Sequence, residues 1–215
     1  TAVGYNAGIA VTTGIQNVLI GKGAGDALTD ADFNVAVGVD ALTADTEGSS
    51  SVAVGRRTLH AQNLTTQTTT RNTAVGFEAG NDITTGVFNT LLGSNAGDAL
   101  TDADSNVAVG VNALGTDTLG SRSTAVGLSA LQTQNFTTAT DSHNTAVGNQ
   151  AGFAVTTGTK GTFIGSEAGI AVNTGTENTC VGFQAGLNLA SGSNNTYIGS
   201  LAGFNTTNGG NNVVV

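Results

Sequence analysis

The chain has 215 residues, of which only 10% are charged, and fifteen acidic against six basic side chains set a net charge of −9. Thirty-two glycines with so little charge would fit a disordered linker, but 39% hydrophobic content in a regular pattern excludes that class. The six cations, Lys22, Arg56, Arg57, Arg71, Arg122 and Lys160, form no basic stripe, which argues against nucleic acid as a partner, and no apolar run reaches the ~18 residues of a membrane span.

The first predicted element is a short strand ending at Gly4, in T-A-V-G. The same element returns ahead of Gly21, Gly38, Gly55, Gly76, Gly93, Gly110, Gly127, Gly148, Gly165, Gly182 and Gly199. The intervals are 17, 17, 17 and 21, then the same four again, then 17 three times. Three units of 17 and one of 21 make a super-repeat of 72, so that G-D-A-L-T-D-A-D at Gly25–Asp32 recurs at Gly97–Asp104. Seventeen residues are too few for two helices and a turn, and the apolar period inside each run is two. The pattern predicts an all-β fold, a parallel β-solenoid (β-roll) of about twelve 17-residue coils, forming one domain over residues 1–215. Coils stacked at ~4.8 Å would bring like residues into register and bury a core that one coil alone cannot. Twelve of them predict a rod of roughly 55–60 Å. The chain opens in mid-motif without an initiator Met and is read as a piece of a longer fibre.

Each column of the strand has a physical reading. The residue before the glycine is aliphatic in every unit, and two residues earlier stands Thr or Val. These two share a face, because side chains alternate along a strand, and they are assigned to the coil's own core. The column between them is also apolar: Ala36, Ala53, Ala74, Leu91, Ala108, Ala125, Ala146, Phe163, Cys180 and Tyr197. A strand apolar on both sides is covered on both sides, so this column is assigned to an oligomer face. The alternative is cover by another segment of the same coil. One residue before the strand comes an Asn column: Asn17, Asn34, Asn72, Asn89, Asn106, Asn144, Asn178 and Asn195, with Ser51, Ser123 and Gly161 as exceptions. Stacked amides both donate and accept, which predicts a structural ladder at a coil corner; otherwise Asn is there as a turn former.

Between the strands, in chain order, come Thr12/Thr13, an acidic group at Asp26, Asp30 and Asp32, and an insertion at Asn63–Thr70. The second super-repeat brings Thr84/Thr85, then Asp98, Asp102 and Asp104, and an insertion at Asn135–Ser142. The third has Thr156/Thr157 and no insertion. Asp30, Asp32, Asp102 and Asp104 are weak Ca²⁺ candidates by their clustered oxygens, against solvated turns that use Asp for local bonds. The threonines form rows such as an ice-binding solenoid uses, although in an adjacent pair only one side chain faces outward. The insertions are expected to protrude as loops, with His60, Arg71 and His143 nearby, and to serve as spacers or as contacts for a glycan or receptor.

The motif N-T-A-V-G, at Asn72–Gly76 and Asn144–Gly148 within N-T-A-V-G-x-x-A-[LG]-x-x-x-T-T-G-x-N, resembles repeats of bacteriophage tail-fibre proteins and bacterial surface proteins. It is also similar to the N-S-V-A-I-G repeats in the β-roll heads of trimeric autotransporter adhesins. That resemblance implies an extracellular fibre, on a virion or a cell surface, and a homotrimer. The 17-residue coil is longer than that of the adhesin heads.

No nucleophile–base spacing, Walker loop or metal-ligand motif occurs, and Cys180 stands in an apolar strand column. The reading is a non-catalytic structural or adhesive segment of an extracellular fibre, with no cofactor, whose partner is itself, as a trimer or an end-to-end filament. A cell-surface glycan or receptor is a further partner. The alternative is a binding module that uses a regular solenoid face for ice or glycan.

Overall fold

A computed structural model describes every residue from Thr1 to Val215. Each coil starts with a strand of two or three residues, and the glycine after it stops the strand. Gly21 has φ +132°, which only glycine adopts readily, and a Cβ there would overlap the carbonyl oxygen of Gly38 on the next coil. The strand therefore cannot lengthen, and the chain turns at the same point in every unit. The fold is an all-β, parallel β-solenoid of thirteen stacked rungs without helices, one more than the glycines count, because Val213–Val214 begins another.

The chain gathers into two compact units, Thr1–Asn106 and Val107–Val215. In the first, β1 (Ala2–Val3), β2 (Val18–Ile20), β3 (Val35–Val37), β5 (Val52–Val54), β7 (Thr73–Val75) and β8 (Thr90–Leu92) pair in that order, all parallel. In the second, β9 (Val107–Val109), β11 (Thr124–Val126), β13 (Thr145–Val147), β14 (Thr162–Ile164), β15 (Thr179–Val181), β16 (Thr196–Ile198) and β17 (Val213–Val214) do the same. Register follows the repeat: Val37 is the partner of Val54, and across the longer unit Val54 is the partner of Val75. The insertions are not simple loops. β6 (Thr68–Thr69) pairs with β4 (Gly48–Ser49), and β12 (Thr140–Asp141) with β10 (Gly120–Ser121), each a second small sheet beside the main one.

The two faces of the strand are the reverse of the sequence assignment. Ala36, Ala53, Ala74, Leu91, Ala108, Ala125, Ala146, Phe163, Cys180 and Tyr197 are all 0–1% exposed within the single chain. They fill the inside of the coil and form no oligomer face. The columns assigned to the core point outward instead: Ile20 is 39% exposed, Leu92 38%, Ile164 40% and Ile198 43%. The parity explains this. Asn34 and Ala36 lie on the same side of the strand, and both are fully buried.

Inside eight of the twelve coils, volume is exchanged between the central strand residue and the one six positions later, whereas at Ala74/Gly80 and Ala146/Gly152 the space is filled by Leu59 and Leu91 and by Leu131 and Phe163 of neighbouring coils. Leu19, Leu91, Phe163 and Tyr197 face Gly25, Gly97, Gly169 and Gly203, and a Cβ on Gly25 would stand 2.7 Å from Leu19 Cδ2. Where the strand residue is Ala36, Ala53, Ala108 or Ala125, the later position is Leu42, Leu59, Leu114 or Leu131, each fully buried. All four leucines take a left-handed backbone, φ 49° to 54°. That conformation costs about 1–2 kcal/mol for a non-glycine residue, and burying a leucine returns about 1.5–3 kcal/mol. Phe163 also explains the glycine in the Asn column, since a Cβ on Gly161 would run into its ring.

Candidate functional site

The buried asparagines close each coil and join it to the next. Asn34 Nδ2 donates to the Gly48 carbonyl at 2.8 Å, fourteen residues on, and its Oδ1 accepts the Ser51 backbone N–H at 2.8 Å. Asn72 and Asn89 repeat this in the first unit, Asn144 and Asn195 in the second. Asn17 does the same at the first full coil, and Asn178 donates to Gly192 and serves Asn195. Asn106 donates its backbone N–H to Asn89 Oδ1. The amides thus bond mainly to backbone, and side-chain contacts such as Asn195 Nδ2 to Asn178 Oδ1 at 3.0 Å are secondary.

Where Ser51 replaces Asn, a second network takes over that the sequence reading did not identify. Gln62 reaches in from three residues after Leu59. Its Nε2 donates to Asp45 Oδ2 at 2.6 Å and Ser51 Oγ at 3.1 Å, and its Oε1 accepts from Asn72 Nδ2 at 2.9 Å. Asp45 Oδ1 accepts the amides of Gly48 and Leu64, both at 3.0 Å. Burial pushes the Asp45 carboxyl above its ordinary value, and these N–H donors pull it back only in part. Seventy-two residues on, Asp117, Gln134, Ser123 and Asn144 build the same arrangement. The signal was the coincidence of Asp45, Gln62 and Ser51 with the insertion in both super-repeats. The network anchors each insertion to the core, because Leu64 N and Phe136 N are among its donors.

The acidic group is spent on similar work. Asp30 accepts the hydroxyls of both Thr12 and Thr13, at 2.8 and 2.5 Å, and Asp32 accepts the Ile15 amide at 2.7 Å. Asp102 takes Thr84 and Thr85, and Asp104 takes the Val87 amide. The threonine hydroxyls hold Asp30 and Asp102 below the usual carboxylate range. The Ca²⁺ candidates Asp30, Asp32, Asp102 and Asp104 thus face the preceding coil's donors rather than a common centre, and no three His, Cys, Asp or Glu side chains converge anywhere. Of the paired threonines that the sequence offered as an ice-binding row, Thr12/Thr13 and Thr84/Thr85 have hydroxyls tied to these carboxylates, and Thr156 donates to the Asn173 side-chain oxygen.

The open surface lies on the outside of the strands. The aliphatic column remains aliphatic on every rung despite its exposure, and Val39, Phe77, Val111, Leu128 and Phe183, two residues further on, are 42–52% exposed. All six basic residues flank this face. Arg71, Arg122 and Lys160 stand just before the Asn column, and Lys22, Arg56 and Arg57 just after the glycine. Four acids, Asp40, Glu78, Glu167 and Glu177, share those columns, and the remaining eleven lie elsewhere on the coil. Arg57 pairs with Glu78 at 3.2 Å and Lys160 with Glu177 at 2.9 Å, while Arg56 and Arg71 lie over the rings of Phe77 and Phe88. The face therefore carries an aliphatic column beside a column of Thr or Val and is close to neutral, while most of the acids lie elsewhere on the coil.

Burial pushes the Cys180 thiol up to about 12, so it is a core side chain and no nucleophile. His60 and His143 occupy different columns in different units. No helix is long and apolar enough to cross a membrane. No family model matches the chain, and no match is found among curated proteins or solved structures.

Proposed function

We propose that this chain is a non-catalytic structural segment of an extracellular fibre, of the tail-fibre or surface-adhesin kind, that assembles with copies of itself as a trimer. The observation that carries the reading is the outward aliphatic column. A position not buried by its own chain is free to vary, yet Val, Ile or Leu recurs on all twelve rungs that end in glycine, exposed on six of them, from Val147 at 37% to Val3 at 58%, and half-buried on the other six. Long exposed apolar stripes mark interaction surfaces. A second copy fits it best, because only another stack of the same rungs repeats at the same spacing along its length. Charge supports the same partner: the acidic remainder of the coil repels its like, and the near-neutral sheet face does not. The rest of the molecule fits a spacer, since the buried asparagines and the Asp45 and Asp117 networks are spent on closing coils and joining them.

The mass in solution, by light scattering, tests this. The wild-type chain is expected to be oligomeric, and Val54→Lys with Val75→Lys, both on the outward face, is expected to give a folded monomer. A monomeric wild type overturns the reading, as does a variant of unchanged mass.

A further inference from the structure

We infer that the first unit carries a saccharide-binding site at the step where its insertion begins, selective for a neutral, hydroxyl-rich sugar ring. The site lies in a concavity against the short β4–β6 sheet. Phe33, 54% exposed, forms one wall, and the insertion residues Gln67 and Thr69 form the other. Between them the column of residues before the Asn ladder drops from a phenylalanine to Ser50 on the next coil, which opens a gap one side chain deep. Ser50 is fixed in a left-handed conformation, φ 67°, by its amide bond to the Asp32 carbonyl at 2.9 Å.

The chemistry of the lining is what a sugar presents in mirror form. The Phe33 ring offers an apolar plate for the C–H face of a pyranose. Around it are polar groups with bonding capacity to spare. Ser49 Oγ accepts the Asp32 amide at 2.9 Å and keeps its own proton to donate. Asp32 uses Oδ1 for the Ile15 amide, leaving Oδ2 open. The hydroxyls of Ser50 and Thr69 and the amide of Gln67 enter no bond within the chain. A concave site with one apolar wall and a few convergent donors and acceptors, held on paired strands rather than a free loop, is preorganised for a small polar ligand. Asp32 is the one charged group in the lining, so an anionic sugar is disfavoured.

The super-repeat supplies an internal control. Seventy-two residues on, the sequence has Ser105 for Phe33, still in the first unit, and Arg122 for Ser50, Ala139 for Gln67 and Asp141 for Thr69 in the second. No aromatic side chain recurs at Ser105, and within the second unit Arg122 and Asp141 fill the Ser50 and Thr69 positions with an ion pair at 2.5 Å. One fold thus carries an open version and a sealed version of the step. The site rests on residues of the first unit alone, and does not depend on self-association.

The test uses the full chain with isotope-labelled NMR and the methyl glycosides of glucose, galactose and mannose, with N-acetylneuraminic acid as the anionic control. At least one neutral glycoside is expected to shift the resonances of Ser50, Thr69 and the Phe33 ring with a millimolar dissociation constant, and the anionic sugar is expected not to. Ser50→Arg with Thr69→Asp copies the sealed version, which this fold already accommodates, and is expected to abolish the shifts. Phe33→Ser is expected to weaken binding at least tenfold. Absence of shifts with all three glycosides, shifts that map elsewhere, shifts that survive in the sealed variant, or equal response to the anionic sugar each overturns the proposal. The Val54→Lys, Val75→Lys variant leaves all lining residues in place, so failure of self-association and failure of sugar binding are read separately.

Discussion

Gln62 Nε2 lies 2.6 Å from Asp45 Oδ2, and both side chains are fully buried. The direction of that bond is fixed from both ends. Gln62 cannot turn its amide over, because its Oε1 accepts from Asn72, and Asp45 must accept from three N–H groups at once. Asp45→Asn keeps one oxygen for Gly48 and Leu64 but sets an NH₂ against Gln62. It is expected to cost about 1–3 kcal/mol in urea unfolding, and Asp45→Ala, which orphans all three donors, about 3–5 kcal/mol. Asp117→Asn should behave like Asp45→Asn, because the second unit repeats the geometry. Equal stability of Asp45→Asn and wild type would show that the network is slack.

Two classes of aspartate are expected to titrate on opposite sides of the ordinary value of about 3.9. Burial raises Asp45, so the folded chain holds its proton more tightly than the unfolded chain does. Its contribution to stability is full below the unfolded value and is lost as pH rises through the folded one. Asp30 and Asp102 are lowered by the hydroxyls of Thr13 and Thr12, and of Thr84 and Thr85. Their contribution is full above the unfolded value and is lost as pH falls through the folded one. Carboxyl ¹³C titration should place Asp30 and Asp102 below an unstructured aspartate and Asp45 above it. The reverse order would contradict the hydrogen bonds described.

Two neighbouring glycines separate backbone strain from collision. Gly182 and Gly199 have similar φ, +135° and +128°. A Cβ on Gly182 would stand 2.6 Å from the Gly199 carbonyl carbon, whereas on Gly199 the nearest neighbour is Ala202 Cβ at 4.0 Å. Gly199→Ala should therefore cost only the strained backbone, about 1–3 kcal/mol, and Gly182→Ala about 1–3 kcal/mol more. Thermal denaturation of both variants measures the difference, and equal melting temperatures would refute it.

The period of seventeen, the parallel register and the in-line stacking of Val37 on Val54 follow from the spacing of glycines alone, because like residues can stack only if each coil has the same length. Which face is inside did not follow. Val37 and Ala36 are both apolar, so hydrophobicity gave no direction. Two signals did carry it. Asn34 has the parity of Ala36, and an Asn that must bond to backbone in the coil interior takes Ala36 inside with it. The exchange of Leu19 with Gly25 for Ala36 with Leu42 is a constraint of shared volume, which arises only between residues that touch. Phe33 and Ser50 were unreadable as a site, because the gap between them depends on where β6 pairs, and Thr68–Thr69 reads as a polar loop.

In the amide bonds of the asparagine ladder the waiting oxygen always belongs to the earlier coil: Asn17 serves Asn34, Asn34 serves Ser51, and Asn178 serves Asn195. A newly made coil leaving the ribosome thus finds the acceptor for this bond already in place, while strand amides such as those of Val18 and Val35 wait for the carbonyls of Asn34 and Ser51 on the coil that follows. Contacts seventeen residues apart keep each closure short, and short closures are fast. The chain can grow by accretion during synthesis, each turn of the polypeptide serving as the mould for the one after it.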